Sequence, residues 1–310
     1  MSLHNRTCFE NHMGVWGIEQ KWLREALSQI RAGHWNYQAM HDDGESLESY
    51  QKRIAQERMA AGASKVVFDG YRISYEVFDG VAVIAARGPM MKFDSKFGGV
   101  NTVRLRGSLR LANRDADVSS ILMQIDSPGG SVAGNQELAD EVSASGKLLN
   151  VYIEDLGASC AYWIASQANR IFANTGSALV GSIGVYSVLY DDSKAFDAAG
   201  VKAIPITSGP LKAQGEPGVP VTQDLVDEMQ GIVDAMAANF IDAVAAGRDM
   251  TKADVKKLAT GGVYLADHAK KLGLVDEIAS FDSVLAHMQG GKKGARLARA
   301  EAAIKVSDLG

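Results

Sequence analysis

The chain reads as an α/β protein made of repeated β-β-α or βαβ units behind a helical N-terminal extension. Three observations carry that reading. Short apolar runs such as VSSILMQID (118–126) and KLLNVYIED (147–155) end at turn residues, as strands do. Segments with apolar residues at helical spacing separate them, among them Asn135 to Ala144 and Asp224 to Ala246. Some of these segments carry their own boundary signals. Thr251 is followed three residues on by Asp254, and Gly273 follows HAKKL as a C-cap.

In chain order, residues 1–70 form a zone apart. Gly17 to Ala32 places Trp22, Leu23, Leu27 and Ile30 at helical spacing, which predicts an amphipathic helix. His41 to Ala61 is polar and only weakly helical, so the zone reads as an arm or partner-binding extension. The patterned domain, 71–288, opens on ISYEVFDGVAVIAARGPM (73–90), two strands about an Asp79-Gly80 turn. A helix follows over Val103 to Asn113. The strand at 118–126 then runs into Pro128-Gly129-Gly130, and a helix over 135–144 leads to the strand at 147–155. Gly157 to Asn169 predicts a buried helix. RIFANTGSALVGSIGV (170–185) predicts a strand and a turn, and VKAIPITSGPLKAQGEPG (201–218) a strand and a polar loop. Helices over 224–246 and 251–258 precede a closing helix and a last short strand. The tail, 289–310, is basic and then Ala-rich, and would be helical only against a partner.

Composition narrows the class. Of 310 residues, 46% are hydrophobic and 22% charged, the balance of an ordinary soluble globular protein. A net charge of −5 gives no footprint for nucleic acid. Cys8 and Cys160 make neither a disulfide framework nor a zinc site, which suits a reducing compartment. The N-terminus has no apolar core of a secretory signal, and no run approaches the ~20 apolar residues of a membrane span. A soluble, cytosolic protein without a membrane anchor is expected.

The chemistry is sparse. No P-loop, dinucleotide fingerprint or HExxH motif is present, so no phosphate-cradling loop, metal or other cofactor is expected. The six histidines are His4, His12, His34, His41, His268 and His287, and none lies between 42 and 267. A Ser-His-Asp triad would have to borrow His268 from the edge of the domain. QIDSPGGSV (124–132) follows an apolar strand, and its consecutive glycine N–H groups suit an oxyanion site. Taken alone it reads as a tight turn. Ser159, between Ala158 and Cys160 at a helix start, fits a nucleophile with room around it, with the Cys160 N–H as a second oxyanion donor. Taken alone it reads as an N-cap. Lys212 is the lysine that would replace a histidine base, provided burial favours its neutral form. Taken alone it is a solvated loop residue.

Together and in this order, Asp126-Ser127-Pro128-Gly129-Gly130, Gly157-Ala158-Ser159 with AYWIA, Gly181-Ser182-Ile183-Gly184-Val185, Ser208-Gly209 with Lys212, and KKLGLVDEI resemble the signal peptide peptidase A family (S49) of serine peptidases. The resemblance covers roughly residues 75–285. It is nearest to the phage branch, the capsid or prohead maturation proteases, through the stretch SGPLKAQGEP and the lack of a membrane segment. It implies a ClpP/crotonase-like fold and a Ser-Lys dyad, with Ser159 as nucleophile and Lys212 as general base. Gly129 and Gly130 would stand at the oxyanion hole with the Cys160 N–H, and Ser182 would support the lysine. Protein or peptide substrates, a homo-oligomeric ring, and phage scaffold, portal or capsid proteins as partners are implied as well. The chain departs from the family's pattern at Cys160, where many relatives carry Gly or Ala. Two other readings remain: an acyl-CoA hydratase or isomerase on the same fold, and a ring-forming assembly factor with a degenerate site.

Overall fold

The computed structural model describes residues 16–18, 46–94 and 98–290. Most of the helix expected over 17–32, the tail beyond 290, Cys8 and the first four histidines lie outside the described residues. In chain order the elements are β1 (Trp16–Ile18), α1 (Leu47–Ala60), β2 (Lys65–Asp69), β3 (Arg72–Phe78), β4 (Val81–Arg87), β5 (Met90–Met91) and β6 (Val100–Asn101). Then come α2 (Thr102–Arg114), β7 (Ser120–Ser127), β8 (Gly129–Ser131), α3 (Asn135–Ser143), β9 (Leu148–Ala158), α4 (Cys160–Ala165), β10 (Arg170–Ala173) and β11 (Leu179–Gly181). The last group is α5 (Ser193–Ala198), α6 (Gln223–Gly247), α7 (Lys252–Leu258), β12 (Val263–Leu265), α8 (Ala266–Lys271) and β13 (Glu277–Ile278), followed by helical residues 281–290.

The expected α/β architecture is present. One large sheet runs β12-β11-β9-β7-β4-β3-β2, with β10 and β13 branching from β9. Its centre, β4-β7-β9, is parallel. Those strands are covered on both faces, which is why they read as near-continuous apolar runs. Ile121, Met123 and Ile125 of β7 enter the larger core with Leu109, Tyr162 and Trp163, while Leu122 enters a smaller one with Tyr152, Phe172, Val284 and Met288. Period-two alternation divides each strand between the two cores. The Asp79-Gly80 turn joins β3 to β4 as expected, and β2 adds an edge strand that lies N-terminal to residue 71.

Lys65 on β2 closes that edge onto the domain. Its ammonium donates to Asp115 at 2.8 Å and Asp117 at 3.0 Å, and the Tyr75 hydroxyl donates to Asp115 at 2.7 Å. Burial pushes the Asp115 carboxyl up, but the bonds from Lys65, Tyr75 and the Asp117 N–H outweigh it and hold the group down at about 2. A carboxylate lowered on folding adds stability above its unfolded pKa and loses it as pH falls through the folded value. Urea unfolding of Asp115→Asn should therefore show less loss of stability between pH 5 and pH 2 than wild type, by about 1 to 2 kcal/mol.

Two expectations of detail differ. Residues 201–207, expected as a strand, form none. Pro205 lacks an N–H to give a ladder, and the segment leaves Ile204 74% and Ile206 97% exposed. The buried helix expected from Gly157 starts only at Cys160, because Gly157 and Ala158 finish β9 by pairing with Val180 and Gly181 of β11. β9 is long enough to serve two partners, β10 with its first half and β11 with its last.

Candidate active site

The site lies where β9 turns into α4. All six α4 residues are buried. Trp163 stacks on Phe240 of α6 with centroids 4.7 Å apart, and the Tyr162 hydroxyl donates to the Leu274 carbonyl at 3.0 Å. The C-terminal end of α6 is tied down in turn by Arg248, which meets Asp276 through both terminal nitrogens. The base of α4 is thus held by packing and by polar contacts from two directions.

Ser159 occupies the turn itself, at φ 55° and ψ −123°. That conformation matches the first central position of a type II′ turn, which glycine favours. A buried serine held there stores strain of about 1–3 kcal/mol, as residues at functional sites do. The strand-to-helix turn resembles the sharp elbow that exposes a nucleophile. The Ser159 N–H donates to the Gly181 carbonyl at 2.7 Å, fixing the turn against β11. The hydroxyl makes no capping bond to α4, so the side chain is not spent as an N-cap. Ser159→Gly should relieve the turn and raise stability by about 1 kcal/mol, some 2–4 °C in melting temperature. Calorimetry of that variant beside Ser159→Ala, which keeps the strain, checks it.

The two glycines form β8 beside this turn. The Cys160 thiol donates to the Gly130 carbonyl at 3.5 Å and to the Ser131 carbonyl at 3.6 Å, which fastens the start of α4 to β8. Gly129 has φ +88°, a conformation that suits glycine. Its N–H donates to Ser127 Oγ at 3.2 Å, and Ser127 donates on to the Gly88 carbonyl at 2.7 Å. Gly130 is needed for a different reason. A Cβ there would lie 1.8 Å from the Met90 carbonyl oxygen, because β5 runs against β8 at that point.

The structure therefore brings Ser159, Cys160, Gly129 and Gly130 together, with Gly181 and Ser182 at the end of β11. Lys212 stands apart. Its side chain is exposed and makes no hydrogen bond or ion pair among the described residues. Ser182 Oγ donates to the Gly261 carbonyl at 3.1 Å, not to a lysine. His268 lies exposed on α8, edge-on to Tyr264, and does not serve Ser159. Sequence reasoning missed the contact of Met90 with β8 and the antiparallel pairing of β1 with the same strand. The short apolar run VWGI was the available signal for the second. Among the described residues no group of His, Cys, Asp and Glu could hold a metal ion, and no helix is long and apolar enough to cross a membrane.

The fold and site together define a mixed α/β domain with a buried serine on a strained strand-to-helix turn, whose following cysteine is bonded to a strand of two glycines. The model of peptidase family S49 matches residues 141–295. Protease 4 of Salmonella typhi is 32% identical over 213 residues, 66% of this chain and 34% of its own length. Protease 4 of Haemophilus influenzae is 29% identical over 236 residues, 72% of this chain and 38% of its own. Capsid assembly protease C of Escherichia phage lambda is 30% identical over 245 residues, 76% of this chain and 55% of its own. The chain thus spans about a third to just over half of the length of these relatives. It belongs to peptidase family S49, with that family's ClpP-like fold.

Proposed function

We propose that this chain is a serine endopeptidase in which Ser159 is the nucleophile and Lys212, contributed by a neighbouring copy in a ring, is the general base. The observation that carries the reading is the posture of Ser159: strained, buried, unused as a cap, and next in the chain to Cys160, whose thiol bonds the Gly130 carbonyl. Neutral Lys212 takes the proton from Ser159 Oγ, which attacks the scissile carbonyl. The oxyanion takes the N–H groups of Gly129 and Cys160, replacing the long bond from Gly129 to Ser127. Lys212 returns the proton to the leaving amine, and water then hydrolyses the acyl-enzyme by the same route.

The ring rests on exposed apolar surface. Tyr190 is 71% exposed and stands on the same stretch of chain as Ile204, Ile206 and Lys212, and the first half of α6 buries only Leu225. Exposed side chains of that size on one stretch of chain support an interface there. Burial there would also remove Lys212 from water, which favours the neutral lysine a base must be. The likeness to the lambda protease supports capsid or scaffold proteins as substrates, cut during prohead maturation.

Incubating wild type and Ser159→Ala with casein, and following fragments by intact mass, tests the reading. Cutting by wild type alone supports it. Equal behaviour of the two returns Ser159 to a plain turn residue and brings the assembly factor forward. That second reading draws on Lys212 making no side-chain hydrogen bond or ion pair among the described residues.

A further inference from the structure

The strand that carries the two glycines has two edges, and both are taken. β5 lies along one. On the other lies β1, antiparallel, with Trp16 opposite Ser131, Gly17 opposite Gly130 and Ile18 opposite Gly129. β1 therefore runs toward Gly129, the end of β8 assigned above to the oxyanion. β5 follows β4 directly and is part of the domain, so the edge held by β1 is the one an incoming peptide could take to lie alongside Gly129. Extended peptides bind sheet edges by such main-chain pairing. We propose that residues 16–18 are an internal pseudo-substrate, which holds the substrate edge of β8 and must leave before another peptide is cut.

This rests on the reading of Ser159 as the nucleophile. It adds a consequence that reading lacks. A competitor tethered to the same chain acts at a high effective concentration whatever the protein concentration. It raises the KM for an external peptide and leaves kcat unchanged, since the peptide that does bind meets an unaltered site.

The test uses the full chain with Gly17→Pro and Ile18→Pro together. Successive N–H groups on a strand point to opposite sides, so removing two adjacent ones removes one that faces β8. Both positions lie outside the large sheet. Gly17→Pro alone serves if the double variant melts early. The expected result is a KM for a casein-derived peptide about tenfold lower, the value of one or two main-chain bonds, with kcat within about twofold. Hydrogen exchange over residues 127–133 should be faster in the variant than in wild type when no peptide is added. Equal exchange overturns the pairing, and faster exchange with an unchanged KM overturns the inhibition. If wild type and variant alike cut nothing, the peptidase reading has failed, and the exchange comparison still decides whether β1 is held on β8.

Discussion

Lys212→Ala is expected to abolish casein cleavage as fully as Ser159→Ala does, and an equal mixture of the two inactive chains to recover activity. Removing either member of a nucleophile-base pair costs about 10,000-fold or more, because the two act as a unit. The mixture is the sharper measurement. In a ring with head-to-tail interfaces, each site draws its serine from one chain and its lysine from the next. Random assembly of equal parts then makes about one interface in four with both groups intact, so the mixture should reach about a quarter of the wild-type rate. The exposed position of Lys212 and the uncovered side chains of Ile204 and Ile206 favour this outcome. A dyad closed within one chain would leave the mixture as inactive as its parts. Retained cleavage by Lys212→Ala would remove the lysine from the mechanism altogether.

How far the sequence discloses this protein differs with the range of the forces involved. The helices expected over 103–113, 135–144, 224–246 and 251–258 appear within a residue or two of those bounds. Their ends are set locally. Thr251 Oγ1 accepts from the Asp254 N–H, as the spacing implies, and Gly273 has φ +80° past the end of α8. The split of 170–185 into β10 and β11 depends on β9, a partner distant in sequence that serves both. The false strand at 201–207 is the converse case: apolar residues in an extended run, with no neighbour to pair. At the site, Gly-Gly and Gly-Ala-Ser are legible as small residues before a buried helix. Their reasons are not. The strain at Ser159 comes from the joint between β9 and α4, and the demand on Gly130 comes from β5, about forty residues earlier.

That demand makes Gly130→Ala the substitution expected to do most harm for a single methyl group. The added Cβ would meet backbone, not a side chain that can swing away: the Met90 oxygen at 1.8 Å and its C and N at 2.6 Å. β5 or β8 has to move. Either movement shifts the Cys160 thiol contact with Gly130 and the Gly129 N–H proposed above as an oxyanion donor. Forced overpacking of this kind costs about 3 kcal/mol, close to 10 °C in a domain of this size. A displacement of about 1 Å at the reacting centre lowers turnover about 100-fold by itself. Gly107→Ala is the matched control. Gly107 lies within α2 with nothing within 4 Å of its would-be Cβ, so alanine there should add up to about 1 kcal/mol through helix propensity and leave turnover alone. If calorimetry and casein cleavage place the two variants together, β5 does not constrain β8 in the folded protein. If Gly130→Ala loses activity while its melting temperature holds, β8 has yielded in place of β5, and the cost falls on the position of the proposed oxyanion donors.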